Sequence, residues 1–209
     1  MKTTTYSIPT TTILPTPDAA SAKVTITYFD GLGRPVQQRA HQQSHTGKDI
    51  VTHMEYDAFG RQVKEYLPYA SSTPTLNFET GALTETTNYY GSPSSSRNGN
   101  PNAVEATSNP FSEKQLEASP LNRVLQQAAP GNDWALIGTH TIKMDYQANA
   151  ANEVRWFKAP TTWDAAKGLF TASLTDNGTY PAGELYKTIT KDENWTSGSN
   201  HTTEEFKDK

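Results

Sequence analysis

The sequence predicts a mainly β protein built from antiparallel hairpins, with long loops and one or two short helices. Three observations carry that prediction. Thr occurs 30 times while charged residues make up only 19% of the chain, a balance that suits half-buried pleated strands with a hydroxylated outer face. Val24, Ile26 and Tyr28 alternate with Thr25, Thr27 and Phe29, the period of a strand rather than a helix. Phe29-Asp30-Gly31-Leu32-Gly33-Arg34 then aligns with Tyr56-Asp57-Ala58-Phe59-Gly60-Arg61 at a constant offset of 27, so one small unit recurs.

Composition bounds the rest. Leu, Ile, Val and Phe total 33 of 209 residues, below the roughly 20% at which a large aliphatic core becomes available. A net charge of -4 with 4 Trp, 10 Tyr and 7 Phe does not match a disordered chain, so aromatic rings must supply the burial. The absence of Cys excludes disulfides, thiolate nucleophiles and zinc thiolates. No apolar run approaches the roughly 18 residues of a membrane span. The mild acidity, without a basic cluster, argues against nucleic acid as a partner. Met1 to Tyr6 lack the apolar stretch of a secretory leader, so the chain is either cytoplasmic or given without one.

The elements follow in order. Residues 1–22, with Pro9, Pro15 and Pro17, read as an extended Thr/Pro-rich arm, and order is expected to begin near Lys23 in a β domain spanning 23–209. Val24 to Phe29, the turn at Asp30 to Arg34 and the outgoing segment form a hairpin. Thr52, Met54 and Tyr56 lead into a second turn, with Val63 to Leu67 as its return strand. Residues 71–110 are rich in Ser, Thr, Asn, Gly and Pro, including Ser92 to Pro101, and read as a surface excursion with one helical turn near Thr84 to Tyr90. Ser112 to Glu117 reads as a short capped helix stopped by Pro120. Pro120-Leu121-Asn122-Arg123-Val124 is a degenerate third copy of the turn, with Asn122 in the place of Gly33. Thr141 to Tyr146, Val154 to Phe157 and Glu184 to Thr190 read as strands, and Trp163 to Phe170 as a weak helix. If Asp208 matches Asp30, the turn glycine falls two residues past the last one, which suggests a fragment ending inside a repeat.

The two hexapeptides resemble the YD-repeat, or Rhs-repeat, signature Y-D-x-x-G-R. As a hairpin the motif has a physical logic: the aromatic (Phe29, Tyr56) packs inward, Asp30 and Asp57 cap the turn amides, Gly33 and Gly60 take positive φ, and Arg34 and Arg61 start the return strand beside the Asp. Asn122 and Arg123 repeat the last two roles. Asp49-Ile50-Val51, Glu65 to Ala70 and Ser112 through Val124 further resemble an uncharacterised domain that precedes the repeat array in Bacteroidota YD-repeat proteins. That resemblance covers about Lys23 to Lys209. It implies hairpins coiling into a hollow β-shell around a C-terminal effector, as in polymorphic toxins, and hence a secreted or cell-surface location. The shell's self-cleaving aspartates and toxin have no counterpart in this chain. The partners implied are the rest of the same polypeptide, and the role is a non-enzymatic structural module that starts or plugs the shell.

The alternatives are weaker. His41, His45 and His53 have the residue type of a metal site, but no helix holds their spacing between hairpins, so no metal or other cofactor is expected. Glu55/Asp57 and Asp192/Glu193 are the raw material of a glycoside hydrolase, yet Asp57 belongs to a turn and Asp192-Glu193-Asn194 reads as a hairpin tip; no catalytic residue is assigned. Trp134, Trp156, Trp163 and Trp195, with Phe157 and Tyr89-Tyr90, could stack sugars in a carbohydrate-binding adhesin, although a chain poor in aliphatics has use for them in its own core.

Overall fold

The computed structural model describes residues 1–7, 11, 13, 19–72, 75–91 and 105–209. Pro9, Pro15, Pro17 and the stretch Ser92 to Pro101 lie outside the described residues. The protein is mainly β and antiparallel, with the single described helix α1 at Ala82–Gly91. Its contacts divide it into two units, Met1–Thr141 and Ile142–Lys209.

In the first unit, β1 (Lys2–Tyr6), β2 (Ala22–Phe29), β3 (Pro35–Ala40), β4 (Ile50–His53) and β6 (Tyr69–Ala70) form one sheet in the order β1-β2-β3-β4-β6. The expected arm thus begins as a paired edge strand: Lys2 lies opposite Ile26 and Tyr6 opposite Ala22. β5 (Lys64–Tyr66) pairs with β7 (Phe111–Leu116), which pairs with β8 (Val124–Ala128). β2 and β3 form the expected hairpin. The second turn differs from expectation. It leads from β4 into β5 without a hairpin, because β3 and β6 already occupy both edges of β4.

Two further corrections concern helices. The expected helix Ser112 to Glu117 is instead strand β7 through Leu116, since pairing on both sides by β5 and β8 outweighs the helix propensity of Glu113, Lys114 and Gln115. Trp163 to Phe170 is a hairpin, with Trp163 directly opposite Phe170. The expected helical turn near Thr84 is the full helix α1. Its buried Ala82, Thr86 and Tyr90 recur every four residues on the face laid against β4 and β6. So the described part of the 71–110 region is not purely surface: α1 covers the sheet.

The core beneath it is small and half polar. Val51, Tyr69, Ala82 and Tyr90 cluster, with Leu67 and Tyr89 packed beside them. Tyrosines, not tryptophans, are its aromatic members. Gln37, Arg39 and Asp49 are as buried as Val51. They dock the segment Leu76 to Glu79 onto the strands: Gln37 exchanges two 2.9 Å hydrogen bonds with the Glu79 backbone, Arg39 donates to Asn77 O, and Tyr28 donates to Leu76 O. The Gln37 amide and the Arg39 Nη1 thereby recover partners that water would have supplied.

In the second unit, β14 (Leu185–Lys191) lies between β9 (Ile142–Ala148) and β15 (Thr202–Asp208). Between β9 and β14 runs a two-stranded ribbon. β10 (Arg155–Lys158) and β11 (Thr161–Asp164) lead out, and β12 (Leu169–Ala172) and β13 (Thr175–Thr179) return.

Candidate functional site

The two repeated hexapeptides build congruent turns. Asp30 Oδ1 accepts the N–H groups of Leu32 and Arg34, both at 2.9 Å, and Oδ2 accepts Arg34 Nε at 2.8 Å. Asp57 repeats this with Phe59 N, Arg61 N and Arg61 Nε at 2.9, 2.9 and 2.8 Å. Gly33 and Gly60 have φ of 77° and 76°, the region a side chain disfavours. The Arg34 backbone N–H foremost, with the guanidinium behind it, holds the Asp30 carboxyl below its usual range; Arg61 does the same for Asp57.

The third turn divides the aspartate's work. Asn122 has φ 52°. Ser119 Oγ accepts Leu121 N at 3.2 Å, while Glu117 Oε2 accepts Arg123 Nε and Nη2 at 3.0 and 2.8 Å. Those guanidinium hydrogen bonds, with one from Ser119, push the Glu117 carboxyl down to about 2. Sequence alignment centred on Asn122 and Arg123 does not reach Glu117, because it lies one residue before the six-residue frame, two before Ser119 at the aspartate's place.

A fourth turn of the same kind closes β14 onto β15. Asp192 Oδ1 accepts Asn194 N at 2.9 Å, Asp192 Oδ2 meets His201 Nδ1 at 3.0 Å, and Asp192 N donates to His201 O. His201 stands where the other turns have arginine.

The first three turns are joined through their arginines. The Arg34 guanidinium lies 4.4 Å from the Tyr56 ring centre, and its Nη1 sits 3.0 Å from where a Cβ on Gly60 would be. Tyr56 in turn donates to Pro35 O. Arg61 Nη1 donates to Asn122 Oδ1 at 2.5 Å. Arg34 and Arg61 therefore each reach the positive-φ residue of the following turn. Leu32, Phe59 and Leu121, at the same turn position, are all exposed. Phe29 corrects the expected inward aromatic: it is half exposed, because Tyr28 takes the inward place against Phe78 and the register slips at that point.

The other candidates are dispersed. His41 bonds the buried Asp49 at 2.9 Å, and His53 lies beside Glu55 and edge-on to Tyr66, with burial depressing its pKa. Among the described residues no group of three or more His, Asp or Glu is placed to hold a metal. Glu55 accepts from Tyr66, and Asp57 and Asp192 are committed to turns. Trp156 stacks on Tyr180, Trp163 meets Phe170, and Trp195 lies under Lys191. Trp134 packs against His140 and borders an open cavity of about 400 Å³ with Leu67, Tyr90, Glu105, Asn132 and Asp133. In the second unit Lys187 is buried between Glu153 and Glu204, at 2.5 and 3.0 Å, and these contacts raise its pKa. No described helix is long and apolar enough to cross a membrane.

These features define an antiparallel β protein whose strands turn through aspartate-capped, arginine-laced corners. Residues 2–148 match the family described as a domain of unknown function (DUF6443), and the chain belongs to that family. A search of curated protein sequences returned no significant match.

Proposed function

We propose that this chain is a non-enzymatic structural module, the N-terminal part of a secreted or cell-surface YD/Rhs-repeat protein of Bacteroidota type, which starts or plugs a hollow β-shell around a C-terminal effector. The observation that supports it is the lacing of congruent turns, with Arg34 and Arg61 each seated on the turn that follows, so that successive corners stack in a row. Of the carboxylates in the two candidate pairs, Asp57 is spent on two backbone N–H groups and Arg61, Asp192 on Asn194 N and His201, and Glu55 accepts from Tyr66. Electron cryo-microscopy of the whole natural polypeptide tests the reading. A closed shell with these strands in its wall or at its mouth is the expected image. A free-standing lobe without a shell overturns it.

A second reading, a carbohydrate-binding adhesin domain, draws on the cavity beside Trp134, where a ring and hydrogen-bonding side chains converge. Fluorescence titration with a polysaccharide panel separates the two. A saturable shift abolished by Trp134→Ala favours the adhesin, and a flat response removes it.

A further inference from the structure

Within the ribbon of the second unit the ladder lapses at one place. Arg155 lies opposite Thr179 and Phe157 opposite Asp176, so Asn177 and Gly178 on β13 together face Trp156 on β10, the two-against-one count of a β-bulge. The register gives neither of the two a partner. Both are exposed. Gly178 has φ 86°, a region that glycine enters freely, and nothing lies within 4 Å of where its Cβ would be. Its N–H turns back along its own strand and donates to Asp176 Oδ1 at 2.9 Å.

An asparagine followed by glycine holds an electrophile and a nucleophile that close a five-membered ring when they meet: the side-chain carbonyl carbon and the next backbone nitrogen. Regular strands suppress that reaction, because the neighbouring strand engages the backbone N–H and the following side chain shields the nitrogen. At this bulge the register offers no partner and the following residue has no side chain. The sequence has two Asn-Gly steps, and the other, Asn98-Gly99, lies outside the described residues.

We infer that Asn177 is a self-modifying position, where the folded chain rearranges to an isoaspartyl linkage without an enzyme. Gly178 N bonds to Asn177 Cγ and the Cγ–Nδ2 bond breaks. The proton lost from Gly178 N is made up on the departing group, which leaves as ammonia. Water then opens the ring. Cleavage between Gly178 N and the Asn177 main-chain carbonyl carbon leaves the backbone running through the former side chain, and cleavage at Cγ leaves aspartate. Either product places a new carboxylate beside Asp176, which already pairs with Arg155. The isoaspartyl form adds one main-chain atom where two residues already face one, so the pairs on either side of the bulge can persist.

The test is incubation of the 209-residue chain at mildly alkaline pH, read by peptide mapping with mass spectrometry and by methyl labelling with a protein isoaspartyl methyltransferase. The expected result is the mass gain of an amide turned into an acid on the peptide that holds Asn177, with the methyl label on the same peptide. Its rate should lie within about threefold of that of a synthetic peptide spanning Leu174 to Tyr180, since the bulge has no ladder to open first. Gly178→Ala should slow the conversion at least about tenfold by shielding the nitrogen. Asn177→Gln lengthens an exposed side chain by one methylene, so it should remove the label from that peptide and leave the thermal melt unchanged. No gain at Asn177 while Asn98-Gly99 converts in the same digest overturns the proposal, as does a label that survives Asn177→Gln. A rate more than about tenfold below that of the synthetic peptide overturns it as well, since it would mean that the fold protects the site. None of these outcomes bears on whether the chain belongs to a shell.

Discussion

Removing Asp49 should test whether a buried ion pair, rather than an apolar core, clamps the 71–91 region onto the first sheet. The Arg39 and Asp49 side chains are 1% and 0% exposed, with Arg39 Nη2 3.2 Å from Asp49 Oδ2. Asp49 also accepts from His41 Nδ1, Gln42 N and Leu76 N at 2.9, 3.0 and 2.9 Å. Burial pushes its carboxyl pKa up, but those two N–H groups, the His41 ring and the guanidinium outweigh it and hold the pKa below the usual range. Asp49→Ala leaves Arg39 buried with only Glu79 Oε2, at 3.6 Å, as a carboxylate neighbour. Breaking a buried pair from one side costs about 3–5 kcal/mol, a large part of the roughly 5–15 kcal/mol that holds a domain folded.

Arg39→Met keeps the volume and leaves Asp49 its three remaining donors, so its cost should be lower, about 2–3 kcal/mol. The double variant Arg39→Met/Asp49→Ala removes both charges, and its cost should fall short of the sum by at least about 1 kcal/mol. Urea unfolding followed by far-ultraviolet circular dichroism reads all three, provided the slope with denaturant is unchanged. For a chain of this length the Asp49→Ala midpoint should drop by about 6–20 °C on heating. A loss under about 1 kcal/mol, or additivity within about 0.5 kcal/mol, would show that the pair does not hold this region.

The turns give three further expectations. Gly33→Ala and Gly60→Ala should each cost about 1–2 kcal/mol for an L-residue at positive φ. Gly60 should be the worse, because its Cβ crowds Arg34 while Gly33 faces open space. Gly60→Asn should recover most of that loss, as Asn122 already accepts an arginine from the same position, and thermal melts rank the three. Asn122→Gly should lose the Arg61 contact and the Nδ2 bond to Pro120 O, whereas Asn122→Ala loses both and adds strain, so Ala should melt below Gly by a shift worth about 1 kcal/mol. Glu117, whose pKa falls from an ordinary 4.5 to about 2 on folding, contributes stability that is complete above pH 4.5 and lost as pH falls toward 2. Arg123→Gln should flatten the urea midpoint over that interval, and an unchanged pH profile would contradict the pairing.

The strands and turns were legible because their signals are local. Alternation at Val24 to Tyr28 and glycine after Asp-x-x need no knowledge of the rest of the chain. The errors arose where partners lie far off in sequence. Glu113, Lys114 and Gln115 favour a helix until β5, some fifty residues earlier, offers them a ladder. Trp163 and Phe170 look helical until Asp164 and Gly168 fold them back on each other. Arg39 and Asp49 gave no core signal at all, because charged residues count as surface in any hydropathy pattern. Only the structure brings these two residues, ten apart in sequence, into contact under Asn77 and Leu76. The arginine contacts between turns were invisible for the same reason, though the recurrence of Arg at offset 27 was the clue that could have raised the question.

That clue also explains why the motif tolerates decay in some positions and not others. The aspartate's duties are purely local, to cap two N–H groups and hold one guanidinium, so they can be redistributed, as Ser119 and Glu117 do in the third turn. The positive-φ position serves two masters. It bends its own chain, and it receives the arginine of the turn before: Gly60 by offering no Cβ, Asn122 by offering an oxygen. A residue there must satisfy both the backbone and the neighbour, which leaves glycine and asparagine as the side chains that fit. The arginine is constrained in the same double way, with Nε on its own aspartate and Nη1 on the next turn. A hexapeptide of this kind therefore encodes the corner and the stacking of corners together, so its repetition specifies an ordered row of turns even where the core beneath is small and half polar.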